Sequence, residues 1–244
     1  MAVCHIIGNG PSAKYFNGWP GDIFGCNIPH FDLPYQATAA IDIEIPYWIK
    51  QTGYVPNYPI LCPETVYDHV QEHNLPGIWL PVLPLSTNTG AALGAYLADQ
   101  YEEIHLWGVD SLWRLGTVNS VTDTHHRAYP VRAATSGVLW RINWAENVAP
   151  KTNVICHMPR GAICETPLAG VTYSRTDMPD DPPTPLDKPA LVAKQEDEYK
   201  WVTEFIVEED GAKLSIHYGD AERIKARRKE IKYQNTSPEQ NTTS

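Results

Sequence analysis

Residues 2–7 (AVCHII) are apolar with no alternation and run directly into Gly8-Asn9-Gly10-Pro11-Ser12. A strand with one wet face alternates polar and apolar side chains, whereas a strand covered on both faces does not. The segment therefore predicts a central parallel strand, and a parallel strand must be followed by a crossover. A Gly-x-Gly turn that opens a helix aims backbone N–H groups at an anion. Glycine lets the chain approach a phosphate closely. Asn9 offers an amide, Pro11 suits helix entry and Ser12 adds a hydroxyl. The fragment lacks the third glycine of the dinucleotide fingerprint and the Gly-Lys-Ser/Thr of a P-loop. It therefore reads as a phosphate-binding loop of another kind, or as a tight turn.

The rest of the chain alternates strands with helices. Residues 22–26, 37–43 and 59–62 read as strands, and 46–51 and 64–73 as helices. Residues 80–85, interrupted by Pro81 and Pro84, read as an extended loop or edge segment. The clearest unit is 86–110 (STNTGAALGAYLADQYEEIHLWGVD). Its first four residues supply cap chemistry, and 90–100 form a helix with Leu93 and Leu97 on one face. Residues 103–107 form a strand that ends in Gly108-Val109-Asp110. A helix over 132–147 and a strand over 153–156 follow. The expectation is an α/β fold, a three-layer Rossmann-like domain over 1–177 with a mostly parallel sheet. The Pro- and Asp-rich stretch 178–190 reads as a linker or a surface strap. Residues 191–232 are expected to form a small C-terminal β/α extension, with a hairpin over 201–207 and 211–218 and then a basic helix. The polar tail 233–244 is expected to be disordered.

Charge narrows the range of partners. A net charge of -10 argues against coating nucleic acid. The basic stretch 225–232 reads as a solvated helix face. The five cysteines include no C-x-x-C pair, and Cys4 and Cys26 fall in strands as small core residues. No leader-like start and no long apolar run is present, so a reduced, soluble, cytoplasmic protein without a membrane partner is expected. His69 and His73 have metal-ligand spacing without the H-E-x-x-H pattern; they read as a solvated face, and no metal site is assigned. His105 reads as a satisfied core histidine, and Trp140 and Trp144 as core.

Three blocks, GNGPS at 8–12, GCN at 25–27 and TGAALGAYLADQYEEIHLWGVD at 89–110, resemble in order and spacing a particular Rossmann-like group. The group comprises the small bacterial CMP-sialic-acid sialyltransferases, the related hydroxymethylpterin pyrophosphokinases and motility-accessory glycosylation proteins. The resemblance covers about the first half of the chain. It implies a nucleotide held by Gly8, Asn9, Gly10 and Ser12, with Asn9 and Asn27 approaching the donor's phosphate. Thr89 and Gly90 would contact the nucleotide at a helix start, and Gly108 and Asp110 would lie beside base and ribose.

In the sialyltransferases a histidine further along is the general base, and tyrosines steady the leaving phosphate. Here no tyrosine follows Asp110 until Tyr129, and the nearest histidines come sooner. On chemistry alone, His125 or His126 is the candidate base on an acceptor hydroxyl. Asp123 could orient one ring, and Arg127 and Arg132 could neutralise a leaving phosphate. His157 is a second candidate base. The expected activity is transfer from a nucleotide-activated sugar, with no D-x-D metal motif beside a strand and no firm cofactor. One alternative is a Mg²⁺-dependent diphosphotransferase of the pterin-kinase type using Asp42, Glu44 and Asp110. Another is a non-catalytic interaction module, and either could form a homo-oligomer.

Overall fold

The computed structural model describes residues 2–86, 88–114, 134–165, 167–186, 204–206 and 215–217. The chain divides into two compact units, Met1–Leu191 and Val192–Ser244. In the second, β9 (Glu204–Ile206) and β10 (Ser215–His217) pair antiparallel, with Phe205 opposite Ile216. These strands fall inside the two segments expected to form a hairpin.

The first unit is built on one eight-stranded sheet. In chain order its strands are β1 (Val3–Ile7), β2 (Asp22–Cys26), β3 (Tyr35–Ala39), β4 (Ile60–Cys62), β5 (Trp79–Pro81), β6 (Glu103–Trp107), β7 (Asn153–Pro159) and β8 (Val171–Thr176). The helices are α1 (Glu44–Thr52), α2 (Glu64–Glu72), α3 (Thr89–Leu97) and α4 (Ala134–Asn147). The spatial order is β5-β4-β3-β2-β1-β6-β7-β8. Every neighbouring pair is parallel. From β1 the chain builds outward to β5, returns through α3 to the other side of β1, and then builds outward again. The direction of growth therefore reverses between β1 and β6.

The strands that read as uniformly apolar are the central ones. On one face Cys4, Ile6, Ile104, Leu106, Val154 and Cys156 pack against Leu93 and Leu97 of α3, Trp144 of α4 and Val148 just after it. Each fully buried Leu contributes about 1.5–3 kcal/mol relative to exposure. Helix α3 is apolar almost all round because it is buried almost all round. Gly94 is a packing residue, since a Cβ there would lie 2.7 Å from the Trp144 ring. Beside β3–β5, Ile45, Trp48 and Ile49 of α1 and Val66 and Val70 of α2 close a second cluster. On the opposite face from α3, Ile7, Ala13, Phe16 and Trp107 form a third.

Several elements differ from the sequence expectation. The turn after β1 opens a five-residue 3-10 helix, Pro11–Tyr15, rather than an α-helix. Strand β3 begins and ends earlier than 37–43, and its last apolar residues lead instead into α1. Strand β8 was not anticipated. Its sequence VTYSRT carries polar side chains and it sits at the sheet edge, where one flank and much of both faces stay wet. Pro81 is tolerated because β5 is the opposite edge. Residues 184–186 run alongside 30–32, with Asp32 N–H donating to Thr184 O at 2.9 Å and Leu186 N–H to His30 O at 2.8 Å. This part of the Pro-rich stretch is a strap on the first unit. Among the described residues no helix is long and apolar enough to cross a membrane.

Candidate functional site at the strand reversal

Neighbouring parallel strands whose connections leave in opposite directions open a crevice between their carboxyl ends, and ligands of open α/β sheets sit there. Here those ends are the loops after Ile7 and Trp107. The two loops interlock. Gly8 N–H donates to Trp107 O at 2.7 Å, and Gly10 N–H to Gly108 O at 2.8 Å. Neither glycine has room for a side chain: a Cβ at Gly8 would lie 2.5 Å from Gly108 O, and one at Gly10 2.6 Å from the same atom. Gly108 itself has φ of 71°, a left-handed conformation that favours glycine. The glycines therefore serve the approach of one protein backbone to another.

Asp110 lies at the centre of this contact. One carboxylate oxygen accepts the Ser12 hydroxyl, and the other accepts Ser12 N–H at 3.2 Å. The Ser12 oxygen in turn accepts Gly108 N–H at 3.1 Å. Burial pushes the Asp110 carboxyl above its ordinary range, and the two Ser12 bonds pull it back. The anion held by the Ser12 N–H is thus the protein's own carboxylate. The sequence reading assigned that donor to a ligand phosphate.

Asn9 and Asn27 extend the site towards β2 and α3. Asn9 Nδ2 donates to Cys26 O at 3.2 Å, and the buried Oδ1 of Asn9 has no hydrogen-bond partner among the described residues. An orphan acceptor calls for a donor from outside, such as a ribose hydroxyl or a base amino group. Asn27 holds φ of 54°, uncommon for a non-glycine residue. Its Oδ1 accepts the Thr89 hydroxyl at 3.1 Å. Thr89 and Gly90 begin α3, where Asn88 is the N-cap and accepts Ala91 N–H at 2.8 Å. Gly8, Asn9, Gly10, Ser12, Asn27, Thr89, Gly90, Gly108 and Asp110 are therefore gathered at one edge of the sheet, drawn from segments up to a hundred residues apart.

His125, His126, Arg127 and Arg132 lie outside the described residues, as does Asp123. Each carboxylate oxygen of Asp110 accepts one bond from Ser12 and keeps further acceptor capacity. Among the described residues one group, His69, Glu72 and His73, could hold a metal ion, its ligand atoms within 4.8 Å of one another. It lies at the carboxyl end of α2, with His73 as the C-cap, and His69 Nε2 also meets the Tyr47 hydroxyl at 3.1 Å.

Sequence reasoning undervalued a second polar cluster. His105 is buried and satisfied, as expected, by Glu103 two residues before it on β6 at 2.7 Å and by His157 of the neighbouring β7 at 2.8 Å. His157 also meets the Thr176 hydroxyl at 2.9 Å, and its ring stacks 3.7 Å from that of Trp107. Burial first, then the neighbouring His105 and His5, push His157 down to about 3. Histidines on three strands with apolar flanks were the available signal; which of them pair depends on strand order.

Comparison with protein-family models, with curated proteins and with solved structures returns no match.

Proposed function

We propose that the protein is a nucleotide-dependent transferase of the glycosyltransferase type, with its donor bound where β1 and β6 part. The eight-stranded parallel sheet, with order reversing at that point, supports a Rossmann-like reading of the fold. The observation that carries the proposal is the buried Oδ1 of Asn9 at the strand reversal, unpartnered among the described residues and framed by Asn27, Thr89 and the Gly108–Asp110 turn. A buried polar atom left unpaired costs about 1–3 kcal/mol, and a ligand donor relieves that cost. The Oδ1 of Asn9 only accepts, so hydroxyl and amino groups of the nucleoside are the partners that suit it. His125 or His126 serves as base on the acceptor hydroxyl, and Arg127 or Arg132 stabilises the leaving nucleotide.

The alternative is a Mg²⁺-dependent diphosphotransferase of the pterin-kinase type, with Asp42, Glu44 and Asp110 as the metal's carboxylates. A thermal-shift panel of CMP, UDP, GDP and ATP, each with and without Mg²⁺, separates the readings. Stabilisation by one nucleotide without metal, about 2.7 kcal/mol at a hundredfold excess over Kd, supports the transferase. His126→Ala is expected to keep that shift and lose turnover. A shift that requires ATP and Mg²⁺ favours diphosphoryl transfer, and no shift from any nucleotide leaves a non-catalytic module.

A further inference from the structure

Four side chains on three adjacent strands form a continuous hydrogen-bonded chain along the sheet face opposite α3. Glu103 and His105 come from β6, His157 from β7 and Thr176 from the last position of β8. The separations are 2.7 Å from Glu103 Oε1 to His105 Nε2, 2.8 Å from His105 Nδ1 to His157 Nε2, and 2.9 Å from His157 Nδ1 to Thr176 Oγ1. None of these residues belongs to the nucleotide edge.

The direction of the chain follows from what each atom can do. An ionised carboxylate only accepts, so His105 carries its hydrogen on Nε2. A neutral His105 then has an acceptor at Nδ1, which requires a hydrogen on Nε2 of His157. That leaves Nδ1 of His157 as an acceptor, and the Thr176 hydroxyl donates to it. His157 is 1% exposed, so a cation on its ring would lose its hydration. The rings are fixed. Trp107 stacks on His157 with 3° between planes, and Trp19 stands edge-on to His105 and His157 at 5.5 and 5.3 Å.

We propose that Thr176 is a nucleophilic hydroxyl, activated through His157, His105 and Glu103, which accepts an acyl group from an uncharged activated ester. In the step, Thr176 Oγ1 bonds to the carbonyl carbon and the ester's alkoxide or aryl oxide leaves with its bonding pair. The Thr176 proton passes to His157 Nδ1, the Nε2 proton of His157 to His105 Nδ1, and the Nε2 proton of His105 to Glu103. A lone buried imidazole would have to keep the proton and its charge. Here both rings end neutral and the charge of Glu103 is cancelled, so the cost of burying a cation is avoided. The surroundings suit an uncharged carbonyl better than a phosphate. The Arg160 guanidinium is committed to Asp177, with 2.5 and 2.6 Å contacts. Arg175 donates to the backbone oxygens of Arg160 and Ala162. Trp19, which is exposed, stands beside the hydroxyl's partner His157.

The test is incubation of the full chain with p-nitrophenyl acetate, followed by peptide mapping of the acetyl group. One acetyl on Thr176 is expected, gained about a hundredfold more slowly in Glu103→Gln and His105→Gln. No acetyl on Thr176, or the same rate in folded Glu103→Gln, overturns the proposal. Nitrogen-15 NMR of the imidazoles in the unaltered protein supplies a reading independent of any variant. Hydrogen on Nε2 of both His105 and His157 is required, and hydrogen on Nδ1 of either one overturns the relay.

Discussion

A carboxylate buried at the end of a central strand needs donors, and Ser12 gives Asp110 two of them while accepting from Gly108. Removing the hydroxyl leaves one carboxylate oxygen and the Gly108 N–H without their partner. Ser12→Ala is therefore expected to destabilise the fold by about 2–3 kcal/mol, read as a lower urea midpoint with an unchanged slope. A loss under about 0.5 kcal/mol would mean that water replaces Ser12 and that the interlock is loose. The sequence made Gly8, Gly10, Ser12, Gly108 and Asp110 legible as residues of one site. What each of them touches was not legible. Spacing along the chain shows that glycines are needed but not what approaches them, and here the approaching backbone is the protein's own turn at Gly108.

The row of histidines on β1, β6 and β7 belongs to the scale of elements, because it exists only when those strands are neighbours. His5 and His105 face each other in register, and Trp107 Nε1–H donates to His5 Nδ1 at 3.2 Å. Burial lowers His5, and it pushes His157 down to about 3 with help from His105 and His5. The unfolded chain takes up a proton at each of these residues near pH 6.5, while the folded chain refuses it. Stability is therefore fully present above pH 6.5 and falls as the pH drops towards 3, by at most about 5 kcal/mol for His157. Urea midpoints measured across that range should fall steeply, and less steeply in His157→Gln. Equal slopes in the two proteins would contradict the assignment of acid sensitivity to this ring. The apolar runs around His5 and His105 announced their strands, and His105 read correctly as a satisfied core residue. Its satisfaction by His157 did not show, because that contact spans 52 residues and depends on the pairing of β6 with β7. Strand β8, which brings Thr176 to the chain of imidazoles, was missed for a related reason. An edge strand need not be apolar, so VTYSRT resembles loop as much as strand.

For the whole molecule, alternating strands and helices were enough to give an α/β fold with a parallel sheet. The strand order was not written in the same way, since succession along the chain does not say on which side of β1 the sixth strand inserts. That insertion makes the site. It sets the Gly108–Asp110 turn against Gly8–Ser12 and seats the start of α3 beside Asn27, so that one crevice collects residues from four segments. The most direct test is backbone amide NMR during addition of whichever nucleotide stabilises the protein. Binding at the strand reversal predicts saturable shifts concentrated at Asn9, Asn27, Thr89, Gly90 and Asp110. Shifts that cluster elsewhere, or none from any nucleotide, would contradict it.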